Sequence, residues 1–311
     1  MYRDIDPRDV DRDRPEMPRG GRGSSSAERA IERSEPREAL TRDLNLPRGR
    51  AREPVERQEW VGALRGSEVR VLATAGAFRV VPMDQLRRPQ DRPNVHRKDV
   101  ERLRGEGLVH TMPYVVGRQR TTLVTLTERG RGLLESSRRE RDTEARQSFY
   151  AGVRKPRELA HDTRLYAAYL DTSRRLNERG LRVDRVVLEE ELKREYQVFL
   201  QEPNRGRRDS SGRPARDAEE IARWAHDHDL PMVDDHVQFP DLRIECERED
   251  GSREIEDVEV MTPHYRGAHA AGKVAAGFTR YSAIGARLGA SSGGGRRGRG
   301  RDARLAEEML S

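Results

Sequence analysis

Basic and amide side chains recur at helical spacing just after Pro93. Asn94, Lys98 and Arg102 share one side of that segment, with Arg97 on its flank. His96, Val100, Leu103 and Gly107 recur on the other side and are expected to face a core. A helix carrying cations on its outer face can enter the major groove of DNA, which admits one α-helix. Arg118 and Arg120 sit in Gly117-Arg118-Gln119-Arg120, between two strand-like runs. At a hairpin tip they would meet backbone phosphates, which set position rather than sequence. Together these six residues make double-stranded DNA the expected partner.

The surrounding pattern supplies elements to position them. Ser67 is expected to cap a helix carrying Val69, Leu72 and Ala73, with Gly76 near its end. Phe78 to Val81 reads as extended, and Pro82 as the opening of a second helix through Arg87. Asn94 caps the third helix, which ends at Gly105 or Gly107. Leu108–Val116 and Thr121–Leu126 read as strands, and Thr127 caps a last helix through Glu135. Three helices, a hairpin and a further helix form the winged helix-turn-helix arrangement, here over residues 64–138 of a domain spanning 57–138.

Composition bounds the rest. Of 311 residues, 33% are hydrophobic, 5% aromatic and 37% charged, so burial cannot offset the ordering entropy of the whole chain. Residues 1–56 mix Arg with Asp and Glu and are expected to be a disordered charged arm. Residues 286–311 are expected to be a flexible Gly/Arg tail of the kind that attaches to nucleic acids. The net charge of +6 is carried mostly by arginine, which suits phosphate but also follows from a GC-rich genome. The single cysteine, Cys246, excludes an intramolecular disulfide and a cysteine-based zinc site. No apolar run is long enough for a membrane helix and no secretory leader is visible, so a cytoplasmic protein without membrane contact is expected.

Residues 148–285 read as an α/β domain. Helices are expected at Leu159–Leu176, Glu189–Leu200, Asp217–His228 and Ala270–Leu288. A strand is expected at Arg182–Leu188, and a hairpin of Val237–Cys246 with Arg253–Thr262 turns around Asp250-Gly251. Residues 139–147 link the domains, and 203–217 read as a mobile loop.

Several short motifs follow one another in a suggestive order. Val100 to Val109 and Leu126 to Leu134 look like the recognition-helix exit and post-wing helix of winged-helix regulators. Glu158-Leu159-Ala160-His161-Asp162, then Phe239-Pro240-Asp241-Leu242, Val258-Glu259-Val260, Lys273 and Tyr281 complete the series. Over residues 60–285 this order is similar to the replication-relaxation family of mobile-element proteins. The resemblance implies a winged helix joined to a restriction-endonuclease-like domain, and a role in plasmid or integrative-element replication, relaxation or transfer. Relaxase or replication proteins, and a second copy in a homodimer, are the partners it brings into view.

The same resemblance implies a nuclease signature in which Asp241 and Glu259 hold Mg²⁺. The metal would polarise a phosphate and activate water. The lysine usual two residues beyond the second acid is replaced by Met261. Lys273 is the best substitute, Arg243 the second, and Glu189, Glu190 or Glu191 could add an acid. Register decides whether Asp241 and Glu259 share a face. A two-residue Asp250-Gly251 loop separates them, and a three-residue loop, favoured by apolar matching, places them together. His226, His228, His236, His264 and His269 match no metal-binding spacing and read as solvated loop histidines.

The expected protein is therefore α+β, with disordered termini. Its main expected role is DNA-binding accessory factor of a mobile element. The alternatives are a Mg²⁺-dependent nuclease using Asp241, Glu259 and Lys273, and a transcription regulator.

Overall fold

A computed structural model describes residues 36–57, 60–87, 94–116, 119–139, 146–154, 158–205, 216–261 and 268–282. The far N-terminal arm to residue 35, Arg118, most of the 139–147 linker, residues 206–215, His264 and the Gly/Arg tail lie outside the described residues. The fold is mixed α+β. Contact density divides the chain into two compact units. One comprises 1–154, 169–187 and 244–255, and the other 155–168, 188–243 and 256–311. These bounds differ from a simple split near residue 140, because a long helix and three strands of the C-terminal half contribute to both.

The first unit opens with α1 (Pro36–Ala39) and a hairpin of β1 (Glu53–Arg57) and β2 (Trp60–Leu64). The expectation of a disordered arm reaching residue 56 is corrected here. Leu40, Leu44 and Leu46 are buried, and β1 pairs antiparallel with β2. Two of the charges in this stretch are engaged by distant parts of the chain. Arg37 donates to the carbonyls of Gln85 and Arg87, and Arg42 pairs with Asp184 at 2.8 Å.

Next come α2 (Gly66–Phe78), the two-residue strand β3 (Val81–Pro82) and a 3₁₀ turn over Met83–Leu86. The cap of α2 is Arg65 rather than Ser67, and the Arg65 N–H donates to Glu68 Oε2 at 3.0 Å. Phe78 stays helical, and the expected second helix is only that 3₁₀ turn. Helix α3 (Val95–Gly105) follows; His96, Val100 and Leu103 are buried as its period predicts, Asp99 is buried beside them, and Gly107, expected on the same side, lies exposed beyond the helix with φ 70. Strands β4 (Val109–Val116) and β5 (Gln119–Leu126) pair antiparallel from Val109 opposite Leu126 to Val116 opposite Gln119. With β3 they form a three-stranded sheet.

Helix α4 (Glu128–Ser136) is capped by Thr127, whose hydroxyl accepts from the Gly130 N–H and donates to the Gly107 carbonyl. Gly130 packs closely there, because a Cβ at this position would lie 2.2 Å from the Leu108 carbonyl oxygen.

The remaining elements are α5 (Leu159–Glu178), β6 (Arg182–Leu188), α6 (Glu189–Gln201) and α7 (Ala218–Asp227). After them come the short pair β7 (Met232–Val233) and β8 (His236–Val237), then β9 (Leu242–Glu247), β10 (Arg253–Met261), α8 (Ala268–Ala275) and β11 (Thr279–Ser282). Four strands form a sheet in the order β11-β10-β9-β6, with β10 and β11 parallel. The expected last helix through Leu288 is corrected. It stops at Ala275, where Gly277 adopts φ +78 and donates its N–H to the Val274 carbonyl. A glycine takes that left-handed conformation readily, so the chain turns out of the helix into a strand. Tyr281 consequently lies on β11 rather than on a helix.

The β9–β10 connection is a three-residue loop, Glu249-Asp250-Gly251. The Arg248 N–H donates to the Ser252 carbonyl, the Gly251 N–H donates to the Arg248 carbonyl, and Gly251 has φ +81. A turn followed by a left-handed glycine is a common way to close such a loop. Counting back from Arg248 opposite Ser252 places Arg243 opposite Asp257, and their side chains do pair, at 2.8 Å.

Gly130→Ala drives a methyl group into a backbone carbonyl rather than a movable side chain. A loss of about 1–3 kcal/mol is expected from such overpacking. Urea unfolding of the full chain should show a lower midpoint.

Candidate functional site: a carboxylate cluster around Lys273

The register that sets Arg243 against Asp257 sets Asp241 against Glu259. Asp241, just before β9, is 8% exposed, and Glu259, on β10, is 2% exposed. Burying two acids near each other is unfavourable unless a cation compensates. Lys273 supplies it from α8. Its Nζ stands 2.9 Å from Glu259 Oε2, 3.4 Å from Glu189 Oε1 and 3.6 Å from Asp241 Oδ1. The amine is 4% exposed. Burial alone would lower its pKa, but Asp241, Glu189 and Glu259 around it hold the pKa above the ordinary lysine value.

Asp241 is fixed from several sides. Its Oδ2 accepts from the Val260 N–H at 2.8 Å and lies 3.1 Å from His161 Nε2. Its carbonyl accepts from the Glu189 N–H at 3.2 Å, which ties the start of α6 to the start of β9. Burial would raise its pKa, yet His161, Lys273 and the Val260 N–H outweigh burial and hold it below the usual aspartate value. Glu189 is shared, because Lys193 one turn along α6 also reaches its Oε1, at 2.9 Å.

His161 lies in the first turn of α5, between Asp241 and Asp162, whose Oδ1 is 3.4 Å from Nδ1. Burial opposes charge on the ring. The two carboxylates win, and the pKa rises to about 10. The imidazole is therefore a second cation of the cluster at neutral pH.

The expected site residues thus divide. Asp241, Glu259 and Lys273 converge, joined by Glu189. His161 and Asp162, which stand in the sequence only within the Glu158–Asp162 motif, join them as well. The signal that could have singled them out is a His-Asp pair in the first turn of an otherwise apolar-faced helix. Arg243 does not join. It is 4% exposed and bonds Asp257 and the carbonyls of His228 and Asp229. Glu191 is buried within α6. Met261 ends β10 with its carbonyl 3.3 Å from Arg164 Nη1. His228 stacks on Trp224 with ring centroids 3.9 Å apart, so it is not a solvated loop histidine. His226 and His236 are exposed, and the side chain of His269 lies outside the described residues.

The donor set is of the oxygen type that a hard divalent cation takes. Three carboxylate oxygens already surround one cationic nitrogen, and oxygen is the donor that Mg²⁺ takes. Among the described residues, no group of three or more His, Cys, Asp or Glu is arranged to hold a metal outright. Mg²⁺ is often bound through only one or two carboxylates together with substrate phosphate, which Asp241 and Glu259 could provide.

On the first unit, Arg97 and Lys98 are exposed on α3, Asn94 precedes it with φ 65, and Arg120 is exposed on β5. Arg102 departs from its expected place on the DNA face. It is half-buried, its Nη2 donating to the Ala63 carbonyl at 2.8 Å and its guanidinium paired with Glu68 and Glu106. Glu68, fully buried, needs that cation together with Arg52 at 2.6 Å. Arg104 is exposed on the same helix.

The chain matches no protein-family model, no curated protein and no solved structure. Among the described residues, no helix is long and apolar enough to cross a membrane.

Two stability measurements probe this cluster. Lys273→Ala leaves buried carboxylates without their common cation, and a loss of about 3–5 kcal/mol is expected in denaturant titrations. His161 has a folded pKa of about 10 against an ordinary 6.5. Its contribution is complete below pH 6.5 and disappears as the pH climbs through about 10. Stability should fall over that alkaline interval in the wild type and fall less in His161→Ala.

Proposed function

We propose that the protein binds duplex DNA through its first unit and carries, in its second, a metal-dependent centre for cutting phosphodiester bonds. The observation that carries the second part is the position of Lys273. Its ammonium reaches Glu259 and Asp241 from α8 and so supplies the charge that Met261 cannot. In this reading the second unit is a restriction-endonuclease-like domain and the first a winged helix. The run of α2, 3₁₀ turn, α3, the β4–β5 hairpin and α4 supports the latter.

Asp241 and Glu259 would hold Mg²⁺. When bound, Mg²⁺ supplies positive charge at the phosphate and a more acidic water. The chain's own groups do the rest. Lys273 brings a donor and a full charge to the place where an extra negative charge develops on phosphate. Glu189 anchors that ammonium while the site is without substrate. The Val260 N–H keeps the Asp241 carboxylate in place. On the first unit, Arg97 and Lys98 contact phosphate or base edges from α3, with Arg120 beside them on the hairpin. Arg102 supports the helix from behind through Glu68. The place of such a protein is the replication, relaxation or transfer of a mobile element, in the cytoplasm.

A second reading is favoured by one feature. Lys273 already neutralises the acids, and a cluster satisfied in this way can serve only to hold the domain together. The protein would then be an accessory factor that binds DNA without cutting it.

Supercoiled plasmid separates the two. Mg²⁺-dependent nicking by the wild type, abolished in Asp241→Ala and Lys273→Ala, is the expected result. An intact plasmid at all Mg²⁺ concentrations, with binding retained, leaves the accessory role. In gel shifts, Arg97→Ala and Lys98→Ala should each weaken binding and reduce the slope of log affinity against log salt by about 1. Unchanged affinity in both would remove α3 from the interface.

A further inference from the structure

The two oxygens of Asp241 have different surroundings. Oδ2 takes the Val260 N–H at 2.8 Å and faces His161 Nε2 at 3.1 Å. Oδ1 faces Lys273 at 3.6 Å. The Val260 N–H belongs to the backbone of β10 and cannot by itself fix the rotation of the carboxylate about its bond. A second donor from a different direction can. His161 provides it from α5, and Asp162 holds the far side of the ring at 3.4 Å.

We propose that His161 is a positioning residue, which spends Asp241 Oδ2 inside the protein and leaves Oδ1 as the oxygen presented to the cation site. The claim rests on the metal-dependent reading above and adds the group that orients its first carboxylate. His161 acts through Asp241, and its place in the chain, on the opening turn of α5, lies far from both acids in sequence. The chain Asp162–His161–Asp241 has the form of an outer hydrogen-bond relay: one carboxylate fixes a ring, and the ring fixes the carboxylate that does the binding. Outer partners of this kind typically change metal affinity by about 10–100-fold when removed.

The test uses the full chain with Mn²⁺ as the probe, titrated by electron paramagnetic resonance. His161→Ala should weaken Mn²⁺ binding by at least ~10-fold, whereas His161→Gln, whose amide can still donate to Oδ2, should recover most of it. Thermal unfolding of the two variants, measured alongside, separates this effect from a general loss of structure, which the glutamine would not selectively repair. Wild-type affinity in His161→Ala, or equal loss in both variants, overturns the proposal. Absence of Mn²⁺ binding in the wild type sinks the metal-dependent reading instead. Nitrogen-15 NMR of the His161 ring then decides the present claim. A slowly exchanging Nε2 proton that is lost in Asp241→Ala supports it, and a freely exchanging one in the wild type overturns it.

Discussion

Buried carboxylates repel one another and lose their water, so a cluster of them needs compensating positive charge, which Lys273 and His161 supply here. The start of α5 sends His161 and Asp162 to this place, and the start of α6, the entry to β9, the buried end of β10 and the body of α8 send one group each. The backbone joins in, since Asp241 receives an N–H from β10 and gives its carbonyl to the start of α6. Taking a single charge out of water costs several kcal/mol even after relaxation. Asp241, Glu259 and Lys273 can share a buried region only if their geometry is fixed, and that requirement constrains how α8 returns to the sheet.

Much of this was legible where the signal is local. The buried side of α3, the Thr127 cap and the long α5 follow from apolar spacing and cap chemistry, and the β4–β5 and β9–β10 hairpins follow from alternation and turn residues, although the strand expected from Val237 begins only at Leu242. The shared face of Asp241 and Glu259 was decided by one question, the length of the Asp250 loop, and apolar matching between strands answered it. What was not legible depends on long-range pairing. Leu40, Leu44 and Leu46 lie among charges and show no period, so nothing near them reveals that they are buried. The end of α8 has no clear local signal, because Gly277 sits in an apolar stretch that reads as continuing helix. Nor does His161, because its partner, Asp241, is distant in sequence.

The arginines show the same limit from another side. A basic composition suggests a surface for phosphate, yet many of the guanidiniums are spent within the fold. Arg52 and Arg102 converge on buried Glu68, Arg65 pairs with Asp99, Arg185 with Glu245 and Arg243 with Asp257. Arginine can do this because its planar fork makes two hydrogen bonds to one carboxylate and carries its charge at any ordinary pH. On α3, by contrast, Arg97, Lys98 and Arg104 remain exposed.

The position of Lys273 shows why a spacing rule failed at Met261. Residues two apart on a strand point to the same face, so a lysine at 261 would have reached the region of Glu259 directly. A methionine there offers no charge, and by spacing alone the site looks incomplete. An ammonium on a flexible four-carbon stem can, however, arrive from any element whose backbone passes nearby, and α8 passes close enough to bring Nζ within 2.9 Å of Glu259. What the acids require is a positive charge at a point in space, and the chain can satisfy that from a helix as well as from the strand. Met261 itself takes part through its backbone, whose carbonyl accepts from Arg164 of α5. The end of β10 is thus held to the same helix that carries His161, so that the two groups facing Asp241 and Glu259 are set by the packing of α5 and α8 rather than by the strand itself.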